Sequence, residues 1–127
     1  MKKLLFGADD SKINRTIIEE AAKFLDMDTV VAEDGKIALD KLNELIKSGR
    51  KPDIIFTDIH MPNMNGLDFM KAVKAIEAVK YIPIIVLTTE TALEPKMLAK
   101  DMGAAGWIIK PMSPEDVAKV VKKFLSK

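Results

Sequence analysis

Five side chains spread over the sequence have the chemistry needed to handle a phosphoryl group. Three are the carboxylates of Asp9, Asp10 and Asp58, one is the hydroxyl of Thr88, and one is the ammonium of Lys110. A carboxylate can attack a phosphoryl group and form an acyl phosphate. The attack is favoured when cations and a hydroxyl donor neutralise charge on the phosphoryl oxygens. If the fold gathers these side chains, we expect Asp58 to be the nucleophile, with Thr88 and Lys110 supplying the hydroxyl and the cation.

The three carboxylates also predict a metal ion. Closely packed carboxylates repel one another, so either some are protonated or a cation neutralises them. The sequence has one histidine and no cysteine, which excludes a His-rich zinc site and a thiolate site. Hard oxygen ligands favour Mg²⁺ or a similar ion. We therefore expect Asp9, Asp10 and Asp58 to hold Mg²⁺, and the loop after Asp58 could add a backbone carbonyl.

Each of these residues has an ordinary structural explanation when it is taken alone. An acidic pair such as Asp9-Asp10 after a strand often only caps a helix and complements its dipole. Thr88 could be a turn or capping residue, and Lys110 could be a solvated surface lysine. The prediction of a site therefore depends on whether the fold brings all five residues to one place.

Length and composition indicate one folded domain without the character of a nucleic-acid-binding protein. The chain has 127 residues, of which 48% are hydrophobic, and its net charge is +1. This length fits one domain, and the apolar fraction argues against disorder. Nucleic-acid binding usually needs a strong basic bias. We predict a single domain over residues 1–127, with no output domain and no nucleic acid as partner.

The N-terminal segment reads as a first strand and not as a targeting signal. In "MKKLLFGADD" the apolar run is short and acids follow at Asp9, whereas a secretory signal needs a longer apolar core and a small-residue cleavage site. No other run approaches the length of a membrane span. We therefore expect a cytoplasmic setting and no membrane as partner.

Short apolar runs alternate with segments whose apolar residues repeat at helical spacing. Buried strands are predicted at residues 3–8, 29–32, 53–58, 83–88 and 106–110. Helices are predicted from apolar positions within 13–25, 37–46, 67–76, 92–102 and 117–124, and the fourth has the weakest pattern. Ser11 and Ser113 are predicted N-caps, and Asp116 would complete a capping box behind Pro114.

Five strand–helix units in regular alternation predict an α/β fold. The expected architecture is a doubly wound, five-stranded parallel sheet with right-handed crossovers and five helices on its two faces. In open sheets of this kind, ligands bind beyond the carboxyl ends of the strands, at the topological switch point. Asp9, Asp58, Thr88 and Lys110 each stand at such an end, so the predicted fold gathers them on one rim.

With these motifs in place, the sequence resembles a response-regulator receiver domain, in particular the CheY-like single-domain chemotaxis regulators. The resemblance is carried by "ADDS", "DIHMPNMNG", "LTTE" and the "KP" after the fifth strand, and it extends over essentially the whole chain. Thr88 follows Asp58 by thirty residues and Lys110 follows Thr88 by twenty-two, as suits that family. The resemblance implies a flavodoxin-like strand order 2-1-3-4-5.

The resemblance assigns roles to the acidic residues. It implies that Asp58 is the phosphoacceptor and that Asp10 and Asp58 bind Mg²⁺ directly, with the backbone carbonyl of His60 as a further ligand. It implies that Asp9 acts through a metal-bound water. The side chain of His60 either faces solvent and does little, or one of His60 and Glu90 steers the hydrolytic water.

The resemblance also assigns roles at the ends of the fourth and fifth strands. Thr88 is implied to bind the phosphoryl group and report its arrival, and Lys110 to pair with the phosphoryl oxygens. The Lys110–Pro111 bond is implied to be cis, although only roughly 5–6% of X–Pro bonds are. Trp107 occupies the aromatic switch position, where Tyr or Phe is more usual.

The function implied is a signalling switch in a two-component system, with a role in chemotaxis. A sensor histidine kinase would supply the phosphoryl group to Asp58, and the face made by the fourth helix, fifth strand and last helix would bind a protein target. A phosphatase is a possible further partner. No enzymatic activity is expected beyond self-phosphorylation from a phosphodonor and autodephosphorylation.

Three alternatives remain open on the sequence. A phosphorelay intermediate or phosphate sink would use the same residues and pass the phosphoryl group to another histidine. A Mg²⁺-dependent phosphatase typically has a second aspartate two residues after the nucleophile, where this chain has His60. A flavin carrier of the same fold would need a Ser/Thr-rich phosphate loop after the first strand, where this chain has "DDSKIN".

Overall fold

The structure of the protein is a computed structural model that describes residues 2–89, 100–101 and 103–125. The strands are β1 (Leu4–Ala8), β2 (Asp28–Ala32), β3 (Ile54–Asp58), β4 (Ile84–Thr88) and β5 (Gly106–Ile109). The helices are α1 (Lys12–Phe24), α2 (Gly35–Lys47), α3 (Gly66–Lys74) and α4 (Pro114–Leu125). The helix predicted at 92–102 lies mostly outside the described residues, of which Lys100 and Asp101 are helical.

All five strands form one parallel sheet in the order β2-β1-β3-β4-β5, which confirms the predicted fold class and strand order. The order reverses between β1 and β3, so the switch point lies between these two strands. Their register pairs Ala8 with Thr57, which places the next residues, Asp9 and Asp58, side by side at the rim.

The central strands are apolar throughout because both faces of the sheet are covered. Every residue of β1, β3 and β4 is buried. On one face Phe6 packs with Phe69 of α3, and on the other Phe56 packs with residues of α1 and α4. Burial contributes about 1.5–3 kcal/mol for each large apolar side chain. The two cores therefore fix the strand ends, and with them the position of the rim.

The small residues before the acidic pair have a packing reason. A Cβ added at Gly7 would lie 2.8 Å from Cδ1 of Ile18, so glycine lets α1 approach β1 closely. The cap predicted for α1 is confirmed, since the Ser11 side chain accepts a hydrogen bond from the backbone N–H of Asn14. Helix α1 therefore starts immediately behind the acidic pair.

The last helix begins as predicted. The backbone N–H of Asp116 donates to the Ser113 hydroxyl at 3.1 Å, and the backbone N–H of Ser113 donates to the Asp116 carboxylate at 2.9 Å. This reciprocal pair is a capping box. Within the described part of the chain, no helix combines the length and the apolar character needed to cross a bilayer.

Candidate functional site

The rim at the carboxyl ends of the strands gathers the predicted residues. Asp58 and Thr88 are the last residues of β3 and β4, while Asp9 and Lys110 directly follow β1 and β5. All four strands are parallel neighbours, so their ends meet at one edge. The structure thus brings together residues that are about a hundred positions apart in the chain.

The three aspartates form one cluster. Each of Asp9, Asp10 and Asp58 offers a carboxylate oxygen, and these oxygens all lie within 4.8 Å of one another. Asp9 is 0% exposed and Asp58 is 6% exposed, whereas Asp10 is open to solvent. A buried pair with one exposed member is accessible from one side only, which suits a partly hydrated ion.

Lys110 bridges the two buried carboxylates. Its Nζ lies 2.8 Å from Oδ2 of Asp9 and 3.1 Å from Oδ2 of Asp58. Burial lowers the pKa of Lys110, but the hydrogen bond and charge of Asp9, together with Asp58, outweigh it and raise the pKa above its ordinary value. Lys110 is therefore a fixed positive charge at neutral pH, held against the predicted nucleophile.

One ammonium does not compensate the cluster fully. Burial raises the pKa of Asp58, the neighbouring charge of Asp9 raises it further, and Lys110 only partly opposes the two. The site therefore carries more negative charge than its surroundings favour. An all-oxygen donor set with excess negative charge fits Mg²⁺.

Asp9 is held from three directions. Its Oδ1 accepts hydrogen bonds from the backbone N–H of Ser11 at 2.9 Å and from Nδ2 of Asn14 at 3.4 Å. Its backbone carbonyl accepts one from the guanidinium of Arg15 at 2.9 Å. With Oδ2 already facing Lys110, Asp9 is more committed to protein donors than Asp10 is. This agrees with the role implied for Asp9, in which it reaches the metal through water.

The β3–α3 loop (residues 59–65) folds back beside Asp58. The backbone N–H of His60 lies 3.4 Å from Oδ1 of Asp58. At the base of the loop, the backbone N–H of Gly66 donates to the Ile59 carbonyl at 2.8 Å. A Cβ at Gly66 would overlap the carbonyl oxygen of Asp58, so only glycine permits this closure. The loop thus places the backbone N–H of His60 next to the cluster. His60 as a residue is exposed to solvent.

A second connection to this loop was missed on the sequence. Asp34, the N-cap of α2, accepts a hydrogen bond from Nδ2 of Asn63 at 2.8 Å, and Gly35 donates its N–H to the Met64 carbonyl at 3.0 Å. The "EDG" before an apolar run signals a helix cap. Nothing in that signal indicates which distant loop the cap also contacts.

The predicted switch residues lie on adjacent strands. Thr88 is buried at the end of β4 and pairs with Ile109, while Trp107 pairs with Val86 two positions earlier. Trp107 is 43% exposed. The Lys110–Pro111 peptide bond is cis, as predicted. Glu90 and most of the helix predicted at 92–102, one of the three elements of the predicted target face, lie outside the described residues.

A doubly wound sheet with a lysine-bridged carboxylate cluster at its switch point defines a class of phosphoryl-accepting signalling domains. The family model of the response regulator receiver domain matches residues 5–122, and the chain belongs to that family. Receiver domains of two-component systems take their phosphoryl group from histidine kinases.

Individual relatives agree with this assignment. Chemotaxis protein CheY1 of Helicobacter pylori is 37% identical over 112 residues, which are 87% of each chain. Two-component response regulator ORR3 of Oryza sativa is 29% identical over 123 residues, 97% of this chain and 91% of its own. The structure of chemotaxis protein CheY4 of Vibrio cholerae superposes with a TM-score of 0.88 at 34% identity, covering 98% of this chain and 100% of that one.

Proposed function

We propose that the protein is a phosphorylation-controlled switch in which Asp58 accepts a phosphoryl group from a histidine kinase and the modification changes affinity for a protein target. The single observation that carries the proposal is the buried Asp58 carboxylate, held 3.1 Å from Lys110 within the three-carboxylate cluster. Burying a carboxylate costs free energy, and at Asp58 the pairing with Lys110 offsets that cost only in part.

The transfer needs few protein groups. An Asp58 carboxylate oxygen forms a bond to phosphorus while the nitrogen–phosphorus bond of the kinase's phosphohistidine breaks. The imidazole nitrogen keeps the electron pair and takes a proton from solvent. Lys110 already stands beside Asp58 and would neutralise the phosphoryl oxygens as charge shifts toward them. The ionised carboxylate is the attacking form, so the step itself needs no general base.

Asp9, Asp10, Asp58 and the backbone carbonyl of His60 would hold the Mg²⁺ that we propose for the reaction. The bound ion would neutralise charge on the carboxylates and on the phosphoryl oxygens. The three clustered carboxylates supply the oxygen ligands, and burial together with the charge of Asp9 raises the pKa of Asp58, so a cation there would be favourable. We propose no enzymatic activity beyond self-phosphorylation from a phosphodonor and autodephosphorylation.

The output is proposed to pass through β4 and β5. The Thr88 hydroxyl would bind the phosphoryl group, and Trp107 would repack beside it. Trp107 and Ile109 are exposed apolar residues, at 43% and 39%, of β5, the strand that belongs to the predicted target face. A modification of this kind works only if the target binds the two states with different affinity. The target is proposed to be a separate protein, and a phosphatase could also recognise the phosphorylated state.

Chemotaxis is the proposed setting. Relatives named as chemotaxis proteins are 34–37% identical to the chain over 87–98% of its length. The second candidate is a phosphorelay intermediate or phosphate sink, which would use the same Asp58, Thr88 and Lys110. The two differ in one step, since only a relay protein passes its phosphoryl group efficiently to another histidine.

The proposal is tested by labelling with acetyl phosphate. Wild type should gain one phosphoryl group in Mg²⁺ and almost none in excess EDTA, as followed by intact-protein mass spectrometry. Asp58→Asn should not be labelled. The matched control is Asp40→Asn, which removes an exposed aspartate of α2 and should label as wild type does. Labelling that is equally fast in EDTA would refute the Mg²⁺-dependent reaction.

A further inference from the structure

The tip of the β3–α3 loop is fastened to the start of α2. Asn63 donates its Nδ2 to Oδ2 of Asp34 at 2.8 Å, and the next residue, Met64, accepts the backbone N–H of Gly35 at 3.0 Å. A Cβ at Gly35 would overlap the Met64 carbonyl oxygen, so the two backbones touch directly. These contacts join segments that are about thirty residues apart in the chain.

Asp34 is built to make two bonds at once. Its Oδ1 accepts the backbone N–H of Ile37 at 2.8 Å, which caps α2 and fixes the side-chain rotamer. With the rotamer fixed, Oδ2 of Asp34 faces the β3–α3 loop, where it accepts the hydrogen bond from Nδ2 of Asn63. Asp34 is only 3% exposed, and the hydrogen bonds from Ile37 and then Asn63 lower the pKa of its carboxyl, so it stays ionised at neutral pH.

Asn63 is equally suited to its side of the contact. Its backbone has φ 67°, a left-handed conformation that asparagine tolerates better than most residues. The loop is closed at its base by the Gly66–Ile59 hydrogen bond, and its tip is held by the Asn63 side chain together with the Met64 carbonyl. Between base and tip lies His60, whose N–H faces Asp58 and whose carbonyl is a proposed Mg²⁺ ligand.

We propose that Asp34 is a positioning residue for the Mg²⁺ site, acting through Asn63 to hold the β3–α3 loop and its His60 carbonyl beside the carboxylate cluster. The inference rests on the proposed Mg²⁺-dependent function. Asp34 itself does not contact the cluster residues through any of the hydrogen bonds described above. Groups that orient a metal ligand commonly change metal affinity by about 10–100-fold when they are removed.

Two variants remove the Asp34–Asn63 hydrogen bond, one by changing the acceptor and one by changing the donor. Asp34→Ser keeps an efficient N-cap but has no second oxygen for Asn63. Asn63→Gly removes the amide while allowing the positive φ. Asp40→Asn controls for the loss of one negative charge from α2. Gly49→Ala controls for lost stability, because Gly49 has φ 86° and a Cβ there would meet nothing within 4 Å.

The measurement is Mg²⁺ affinity by isothermal titration calorimetry on the unphosphorylated full chain. Each single variant should weaken binding about tenfold, the double variant no further, and both controls should match wild type, because the two cuts remove the same contact. Variants within twofold of wild type, effects that multiply in the double variant, or an equal loss in either control would overturn the inference. Wild type that binds no Mg²⁺ would instead refute the proposed metal site and this inference with it.

Discussion

At the scale of single residues, the central fact is that Lys110 shares its charge between two buried carboxylates. The lysine is close to both Asp9 and Asp58, at 2.8 and 3.1 Å, yet the pKa of Asp58 is still raised. The carboxylate that we propose as nucleophile is therefore destabilised in its charged form before any partner arrives. A bound cation would stabilise the charged carboxylate, and reaction with a phosphoryl donor would convert it to an acyl phosphate.

The first prediction follows from this imbalance. Asp58→Asn removes the disfavoured charge and should raise the thermal midpoint of the metal-free protein at pH 7. About 1 kcal/mol corresponds to roughly 4 °C for a chain of this size, so we expect a rise of a few degrees. Thermal unfolding in EDTA, followed by circular dichroism, measures it. A midpoint that falls would mean that the Asp58–Lys110 pair stabilises the fold and that the cluster is not overcharged.

The same reasoning predicts a pH dependence. Because the folded-state pKa of Asp58 is raised above its unfolded value, this group binds more protons when folded. Its contribution to stability is complete below the unfolded pKa of about 3.9 and is lost as pH rises through the folded pKa. The advantage of Asp58→Asn over wild type should therefore shrink as pH falls from 7 toward 4, in matched unfolding experiments. An advantage that grows on acidification would contradict the raised pKa.

At the scale of elements, the site depends on how strands stop and loops turn back. The rim exists because the parallel strands end in register, with Ala8 opposite Thr57 and Thr88 opposite Ile109. The β3–α3 loop must then reverse direction immediately after Asp58. Gly66 permits this because no side chain stands between α3 and the Asp58 carbonyl.

A third prediction concerns that reversal. Gly66→Ala forces a Cβ into the Asp58 carbonyl oxygen, so the backbone must shift and stability should fall by at least about 2 kcal/mol. Gly106→Ala is the matched control, because its nearest contact would be an ordinary 3.6 Å to Ile85. Urea unfolding with a common m-value measures both. Equal and small effects in the two variants would show that the loop has room near Asp58.

The sequence predicted which residues stand at the strand ends, but it did not predict the contacts between separate loops. Alternating apolar runs and helical spacing located Asp58, Thr88 and Lys110 at strand ends, because burial imposes those patterns locally. The N-cap at Asp34 also has a local sequence signal, the "EDG" before an apolar run. Its hydrogen bond to Asn63 instead depends on which loop packs beside α2. A contact of that kind has no local pattern, since it arises only once the sheet order is set.

At the scale of the whole molecule, Thr88, which we propose to bind the phosphoryl group, and the proposed output surface on β5 lie on two neighbouring strands. Thr88 is at the buried end of β4, and Trp107 lies two positions back on β5, about 6–7 Å along the strand. Val86 and Thr88 point to one face of β4, and their partners Trp107 and Ile109 point to the same face of β5. A change at Thr88 therefore has a short route to the exposed apolar residues of β5.

The fourth prediction tests this route. A beryllofluoride adduct at Asp58, which mimics the phosphoryl group, should change the emission of Trp107, the only tryptophan. Thr88→Ala should reduce the change strongly, because the hydroxyl that follows the adduct is missing, while Thr88→Ser should retain it. Fluorescence titration measures the change, and mass spectrometry or ¹⁹F NMR confirms the adduct in each variant. Constant emission with the adduct present would disprove the coupling of Thr88 to Trp107.

The central claim is that Asp58 is the phosphoacceptor, and locating the modified residue tests it most directly. After reaction with acetyl phosphate and Mg²⁺, borohydride reduces an aspartyl phosphate to homoserine, which marks its position permanently. Peptide mass spectrometry should then find homoserine at position 58, in wild type only when both phosphodonor and Mg²⁺ were present. Homoserine at Asp9 or Asp10 instead, or a stable phosphoryl group on a hydroxyl or on His60, would contradict the account.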